Sequence, residues 1–214
     1  PNEWLLPGQY DQNGNPVDIQ KYLWDKGTTE NGVFGLKFSM YNPCFNDTIE
    51  IFRELPGAKE LHQDIHIWNN ALPNCKHIFM TRRNKVRLAV SWWRAIQTGE
   101  WARIHGKKPK ETDLVDKYSF NAINHLLLES TMREAGIQEL FNQANIIPLT
   151  ITYEDFIANY TNTIHKVIDY LEIEYNNELK IAKPFFDKIA DNISEEWVQR
   201  FRRERQAGWN NKGW

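Results

Sequence analysis

Apolar positions along the chain recur in two rhythms, and these mark out the elements. Val33–Ser39 (VFGLKFS), Lys76–Thr81 (KHIFMT) and Ile146–Tyr153 (IIPLTITY) are short apolar runs bounded by turn residues, which predicts strands. The third is nearly continuous, as a strand buried on both faces requires. Helical spacing fills the intervals. Asp18–Lys26 reads as a short helix ending before Gly27, and Asp47–Leu55 as a second, capped near Asn46 or Asp47 and stopped by Pro56. Ala58–Asn70 reads as a third, with Leu61, Ile65 and Trp68 on one face. Asn84 is placed to cap a helix running to Thr98, with Gly99 ending it. Tyr118–Ala135 predicts a long helix closed by Gly136, then a shorter one over about Gln138–Asn145, and Thr163–Leu171 predicts another. Ser194 is expected to cap a last helix through about Arg205, with Glu195 and Glu196 in the first turn, where the helix dipole favours them. Residues 7–16 (PGQYDQNGNP) are turn chemistry.

Three apolar strands separated by helical segments predict an α/β fold: a parallel sheet of neighbouring strands, flanked by helices on both faces. A length of 214 residues predicts a single domain over 1–214. Three strands make a thin sheet. The chain opens Pro1-Asn2-Glu3-Trp4, without methionine, so the expectation is that a first strand, and any signal peptide or anchor, precedes Pro1.

Composition narrows the function classes. Apolar residues at 41% and charged residues at 25% describe a globular chain with enough material for a core. Twenty-six basic against 28 acidic residues leave a net charge of −2, which argues against a bulk electrostatic grip on nucleic acid. No run approaches the ~18 apolar residues of a membrane span. Two cysteines, Cys44 and Cys75, make no disulfide framework, and free thiols predict a reducing, cytoplasmic setting.

The chemistry concentrates in Met80–Trp101, MTRRNKVRLAVSWWRAIQTGEW. A strand ends at Thr81 with Arg82 and Arg83 at its carboxyl end, the edge where open α/β sheets bind ligands. Either guanidinium could fork onto a phosphate or carboxylate. In the following helix Val86, Ala89, Val90, Trp93 and Ile96 form the apolar stripe, while Arg87, Ser91, Arg94 and Thr98 share the opposite side. Ser91 would then lie beside the path of an anion held by the arginines. The plain alternative is a solvated basic face.

An arginine pair at a strand end, a serine eight or nine residues on, and the run SWWRAIQTGEW together resemble the 3′-phosphate-binding element of sulfotransferases. More narrowly, they resemble the bacterial trehalose 2-sulfotransferase-type family. Three further segments match in order: Pro1-Asn2-Glu3-Trp4, the stretch GVFGLKF with Lys37, and the tail Ser194–Arg202 (SEEWVQRFR). The resemblance implies a P-loop-like sulfotransferase fold and 3′-phosphoadenosine-5′-phosphosulfate (PAPS) as co-substrate, with adenosine 3′,5′-bisphosphate (PAP) as product. The acceptor would be the hydroxyl of a small molecule, a sugar or glycolipid. The family's 5′-phosphosulfate loop has no counterpart here: either it precedes Pro1 with the first strand and helix, or this chain cannot hold its donor.

The resemblance also implies roles. Glu3 would be the base that takes the acceptor's proton, and Lys37 the cation facing the bridging oxygen. Arg82 or Arg83, with Ser91, would hold the 3′-phosphate, the spacing fitting either arginine. Tyr153, in Tyr153-Glu154-Asp155, would sit by the adenine; a core tyrosine followed by helix-capping acids is the other reading. Trp92, Gln97 and Trp101 are the acceptor-side candidates, since aromatic faces suit sugar rings. No metal is expected: His62 and His66 are four apart on a helix, with His77 further on, but no third ligand is convincingly placed. The basic run Arg200–Arg205 reads as a solvated helix face or as added charge near the donor. A homodimer stays open as the assembly state. Two other functions stay open: a nucleotide-dependent kinase on a related fold, which would need a carboxylate for magnesium at a strand end and finds none after Thr81, and a non-catalytic module keeping the fold.

Overall fold

The structure is a computed structural model and describes residues 18–38, 44–110, 112–114, 116–176 and 178–210. The chain divides into two compact units, residues 1–75 and 76–214. In the first unit, α1 (Ile19–Gly27) starts where the Asp18 side chain accepts the amide of Lys21 at 2.9 Å. The next helices, α2 (Cys44–Arg53) and α3 (Asp64–Ala71), bury Ile49, Phe52, Ile67 and Trp68. The Trp68 ring lies 5.0 Å from Phe38 and 5.8 Å from Phe52, so it gathers the small core of this unit. The helix expected from Ala58 begins at Asp64, because residues 58–63 are taken up by turns and bends.

The strand expected over Val33–Ser39 does not form within the described part, residues 33–38. The chain turns through Gly32, at a φ of 81° that suits glycine, and folds back onto the end of α1. Phe34 makes one antiparallel bridge with Thr28, and the Gly35 amide donates to the Gly27 carbonyl at 2.9 Å. The Phe34 ring packs 4.5 Å from Trp24. Local closure thus uses the backbone groups and the ring that a sheet strand would have offered. Ser39 and Glu3 lie outside the described residues.

The second unit holds the sheet. β1 (Ile78–Thr81) and β2 (Leu149–Thr152) pair in parallel as expected, Ile78 opposite Leu149 and Thr81 opposite Thr152. Both are shorter than the apolar runs, and β2 is not buried on both faces: Ile151 is buried while Thr150 is exposed. Between them run α4 (Lys85–Thr98) and α5 (Phe120–Gln143). α4 has the predicted limits: the Asn84 side chain accepts the Arg87 amide, and Gly99 closes the end in the left-handed region at φ 65°. α5 continues through Gly136, where a stop was expected. A glycine inside a helix costs about 1 kcal/mol, and burial of Ile123, Leu126 and Phe141 along α5 outweighs it. Tyr153 opens a short helix, α6 (Tyr153–Ala158), rather than ending a strand, and α7 (Tyr160–Tyr170) follows. The last helix, α8 (Asn192–Arg205), is capped by Asp191, whose side chain accepts the Ser194 amide, and not by Ser194 itself. Helices α4, α5 and α8 share a core of Val90, Ile123, Trp197, Val198 and Phe201. Among the described residues, no helix is long and apolar enough to cross a membrane.

Candidate functional site

The carboxyl end of β1 delivers two consecutive arginines into the turn before α4, and their side chains take different directions. Arg82 turns inward: its side chain is only 18% exposed. Its guanidinium lies over the Tyr153 ring, 4.6 Å from the centroid, and its Nε stands 3.6 Å from a Glu154 oxygen, beyond hydrogen-bond reach. Burial pulls the Arg82 pKa below its ordinary value, countered in part by Tyr153 and Glu154; an arginine stays charged under such shifts. Arg83 is exposed and pairs with Asp155 at 2.7 Å.

Parallel pairing places Thr152 beside Thr81, so the acids that follow β2 meet the turn that follows β1. Glu154 uses both oxygens there. Oε2 accepts the Arg83 amide at 2.9 Å and Oε1 accepts the Asn84 amide at 3.2 Å. Burial works to raise the Glu154 carboxyl, but these amides and Arg82 outweigh it and hold it below the ordinary range, so it is ionised. From the other flank, Glu134 of α5 accepts the Thr81 hydroxyl at 3.0 Å and pairs with Lys85 at 2.5 Å.

One side of α4 then continues the site. Arg82, Arg87, Ser91 and Arg94 line a small recess of about 50 Å³, closed by Trp101 and by Ala190 and Ser194 at the start of α8. Helical spacing puts Arg87, Ser91 and Arg94 on one face, as the sequence predicts. Arg87 pairs with Glu195 at 2.5 Å, and Arg94 reaches both Asp191 and the Ser194 hydroxyl. A larger cavity of about 460 Å³ is lined by Arg83, Asn84, Lys85, Val86, Leu127, Glu154 and Arg202. The two arginines therefore line different concavities, and Ser91 shares its recess with Arg82.

The other predicted positions fall as follows. Trp101 is 65% exposed on the wall of the recess. Trp92 is half-buried against the helical core with the Arg133 guanidinium 5.1 Å over its ring, and neither it nor Gln97 lines the recess. Lys37 is exposed and lies on no strand, so an apolar strand no longer surrounds it. His62 and His66 are exposed, and among the described residues no group of three His, Cys, Asp or Glu side chains is placed to hold a metal ion. The clamp by Glu154 and the pairing of Arg94 with Asp191 were not read from the sequence. Only the capping part of the second was signalled, since aspartate at the head of Asp191-Asn-Ile-Ser is as good a cap as serine.

Comparison with known proteins adds three findings. A family model described as Stf0 sulphotransferase matches residues 8–204. A trehalose 2-sulfotransferase of Mycolicibacterium smegmatis is 30% identical over 191 residues, which cover 86% of this chain and 66% of that protein. A trehalose 2-sulfotransferase of Mycobacterium tuberculosis is 29% identical over 209 residues, covering 94% of this chain and 72% of that protein. The chain thus spans 66% and 72% of the length of these two relatives.

Proposed function

The chain belongs to the Stf0 sulphotransferase family, as the run SWWRAIQTGEW implied, and from that premise we propose that it transfers a sulfuryl group from PAPS to a sugar hydroxyl. The observation that carries this reading is the recess that Arg82 shares with Ser91 at the carboxyl end of β1. A doubly charged 3′-phosphate suits this set: a guanidinium and a hydroxyl on one wall, with Arg87 and Arg94 on the same helix face. Tyr153, under the Arg82 guanidinium, offers an aromatic face and a phenolic hydroxyl near the base of the same nucleotide. Of the two arginines we assign Arg82 to the phosphate, because it lines the recess with Ser91 whereas Arg83 lines the other cavity. Both relatives are named for trehalose, and a sugar of that kind is the acceptor we propose, with Trp101 as the aromatic wall on the recess side.

Sulfuryl transfer, like phosphoryl transfer, is an in-line displacement with charge spread over equatorial oxygens, so positioning and electrostatics carry most of the catalysis. The protein must supply a base for the acceptor hydroxyl and a cation for the leaving phosphate. We assign these to Glu3 and Lys37 on the family resemblance of their segments.

Calorimetric titration of the full-length protein with PAP tests the reading. Arg82→Ala should weaken binding about tenfold or more, since a charged hydrogen bond is worth about 1.5–3 kcal/mol, and Arg83→Ala should do less. Equal affinity in wild type and Arg82→Ala would overturn the assignment of Arg82. Absence of sulfated product from labelled PAPS with trehalose and a panel of hydroxylated sugars would overturn the activity.

A further inference from the structure

Glu154 occupies an unusual place for a carboxylate: it sits beside the two arginines at a site that suits an anion. Its contacts explain why. Each oxygen takes one backbone amide of the β1–α4 turn, Arg83 at 2.9 Å and Asn84 at 3.2 Å, and Oε1 also lies 3.6 Å from Arg82 Nε. These are the amides immediately after Arg82. Fixing them fixes the direction in which the chain leaves β1, and so the side toward which each arginine emerges. Tyr153, the neighbour of Glu154, supplies the ring under Arg82. One dipeptide after β2 therefore holds the Arg82 guanidinium from below and its following backbone from the side.

We infer that Glu154 is a positioning residue for the 3′-phosphate: it clamps the β1–α4 turn so that Arg82 points into the recess with Ser91. The inference rests on the proposed donor site. It goes beyond that site because Glu154 touches no phosphate, and its own charge opposes one. Two effects of removing the carboxylate have opposite signs. Loss of a negative charge near Arg82 would tighten anion binding, whereas release of the turn would loosen it. A carboxylate that spans two successive amides at a strand end is the stronger effect, because recognition of a tetrahedral anion depends on groups held to within about half an ångström.

Two variants break the clamp, one with and one without loss of the charge. Glu154→Gln keeps the length and removes the charge. Its amide nitrogen also cannot accept the second backbone N–H. Glu154→Asp keeps the charge but is one methylene too short to span both amides. The readout is the ratio of affinities of the full-length protein for PAP and for adenosine 5′-phosphate, which lacks the 3′-phosphate. Thermal unfolding of each variant is followed alongside. Both variants should lower the PAP affinity about tenfold while adenosine 5′-phosphate binds as in wild type, so the discrimination ratio collapses. Tighter PAP binding by Glu154→Gln, an unchanged ratio in both variants, or a parallel loss for both nucleotides with a large fall in Tm would overturn the inference. A wild-type protein that does not discriminate between the two nucleotides would fail the donor reading itself, and is thereby distinguished from a failure of Glu154.

Discussion

Arg94 of α4 and Asp191, the cap of α8, are joined across 97 residues of sequence by paired hydrogen bonds, Nη2 to Oδ2 at 2.7 Å and Nη1 to Oδ1. The same carboxylate accepts the Ser194 amide at 3.0 Å, and the Ser194 hydroxyl lies 2.6 Å from Arg94 Nη1. Asp191 thus starts one helix and fixes it to another. Arg94 is mostly buried, its side chain 12% exposed, while that of Asp191 is 43% exposed.

Asp191→Ala should destabilise the protein by about 2–4 kcal/mol. Loss of an N-cap costs about 0.5–2 kcal/mol. A largely buried guanidinium left without its partner adds to that, by less than the full 3–5 kcal/mol of a deeply buried pair because Asp191 is partly solvated. Asp191→Asn keeps a capping oxygen and should cost about half as much. Denaturant unfolding of the three proteins at neutral pH measures this, and equal stability of Asp191→Ala and wild type would contradict it.

The same carboxylate should give the protein part of its acid sensitivity. Burial would raise the Asp191 pKa, but the bonds from Arg94 and the Ser194 amide outweigh it and hold the carboxyl at about 2. The folded value lies below the unfolded one of about 3.9. The stabilisation is therefore fully present above the unfolded value and is lost as pH falls through it toward about 2. Discounted for exposure, it amounts to about 1–2 kcal/mol. The difference in unfolding free energy between wild type and Asp191→Asn should shrink by that amount between pH 6 and pH 2. A difference that stays constant over this interval would show that Asp191 does not titrate as described.

Gly27 ends α1 with the Phe34 ring against it. A Cβ there would lie 2.4 Å from Phe34 Cε2, and the ring is held on its other side by Trp24 at 4.5 Å. Gly27→Ala gains up to about 1 kcal/mol of helix propensity and loses about 1–3 kcal/mol to overpacking. The balance should be destabilising by about 1 kcal/mol, with quenching of Trp24 fluorescence altered as the ring pair shifts. A stabilised variant would mean that Phe34 moves aside freely.

What the sequence made legible follows the range of the interactions involved. α4 was readable at both ends because Asn84 and Gly99 act within their own helix. The face carrying Arg87, Ser91 and Arg94 was readable because 3.6-residue periodicity is local too. Gly136 misled because its cost is local and small, while the burial that overrides it comes from packing along α5. Residues 33–38 are apolar enough for a strand, but the chain closes locally onto the end of α1 through the Phe34–Thr28 bridge, the Gly35–Gly27 hydrogen bond and the Phe34–Trp24 ring contact. The contacts of Glu154 and the pairing of Asp191 with Arg94 lay beyond reach, since their partners stand 70 and 97 residues away and nothing in the spacing links them; only the capping role of Asp191 was within it. The choice between Arg82 and Arg83 was likewise open. It turns on which side of the β1–α4 turn each side chain leaves: Arg82 lines the recess with Ser91, and Arg83 lines the other cavity.

The proposed chemistry has its sharpest test at the third residue. Glu3, in the Pro1-Asn2-Glu3-Trp4 segment, is the base that we assign to the acceptor hydroxyl. An ordinary glutamate has a pKa near 4.3 and is ionised at neutral pH. A hydroxyl attacking sulfur loses its proton as the new bond forms, and a carboxylate within reach lowers that barrier, a contribution of roughly 10²–10⁴ in rate. Glu3→Gln keeps the size and one acceptor oxygen but cannot hold the proton. Turnover with PAPS and a sugar acceptor should fall by about 10²–10⁴. PAP affinity should stay within about twofold of wild type, because the 3′-phosphate is assigned to Arg82 and Ser91. This split separates a lost base from a damaged donor site, which would move both quantities. Turnover of Glu3→Gln within a few-fold of wild type would reject Glu3 and direct the search to His62, His66 and His77. A parallel loss of PAP binding would instead place Glu3 in the donor site and leave the base unassigned.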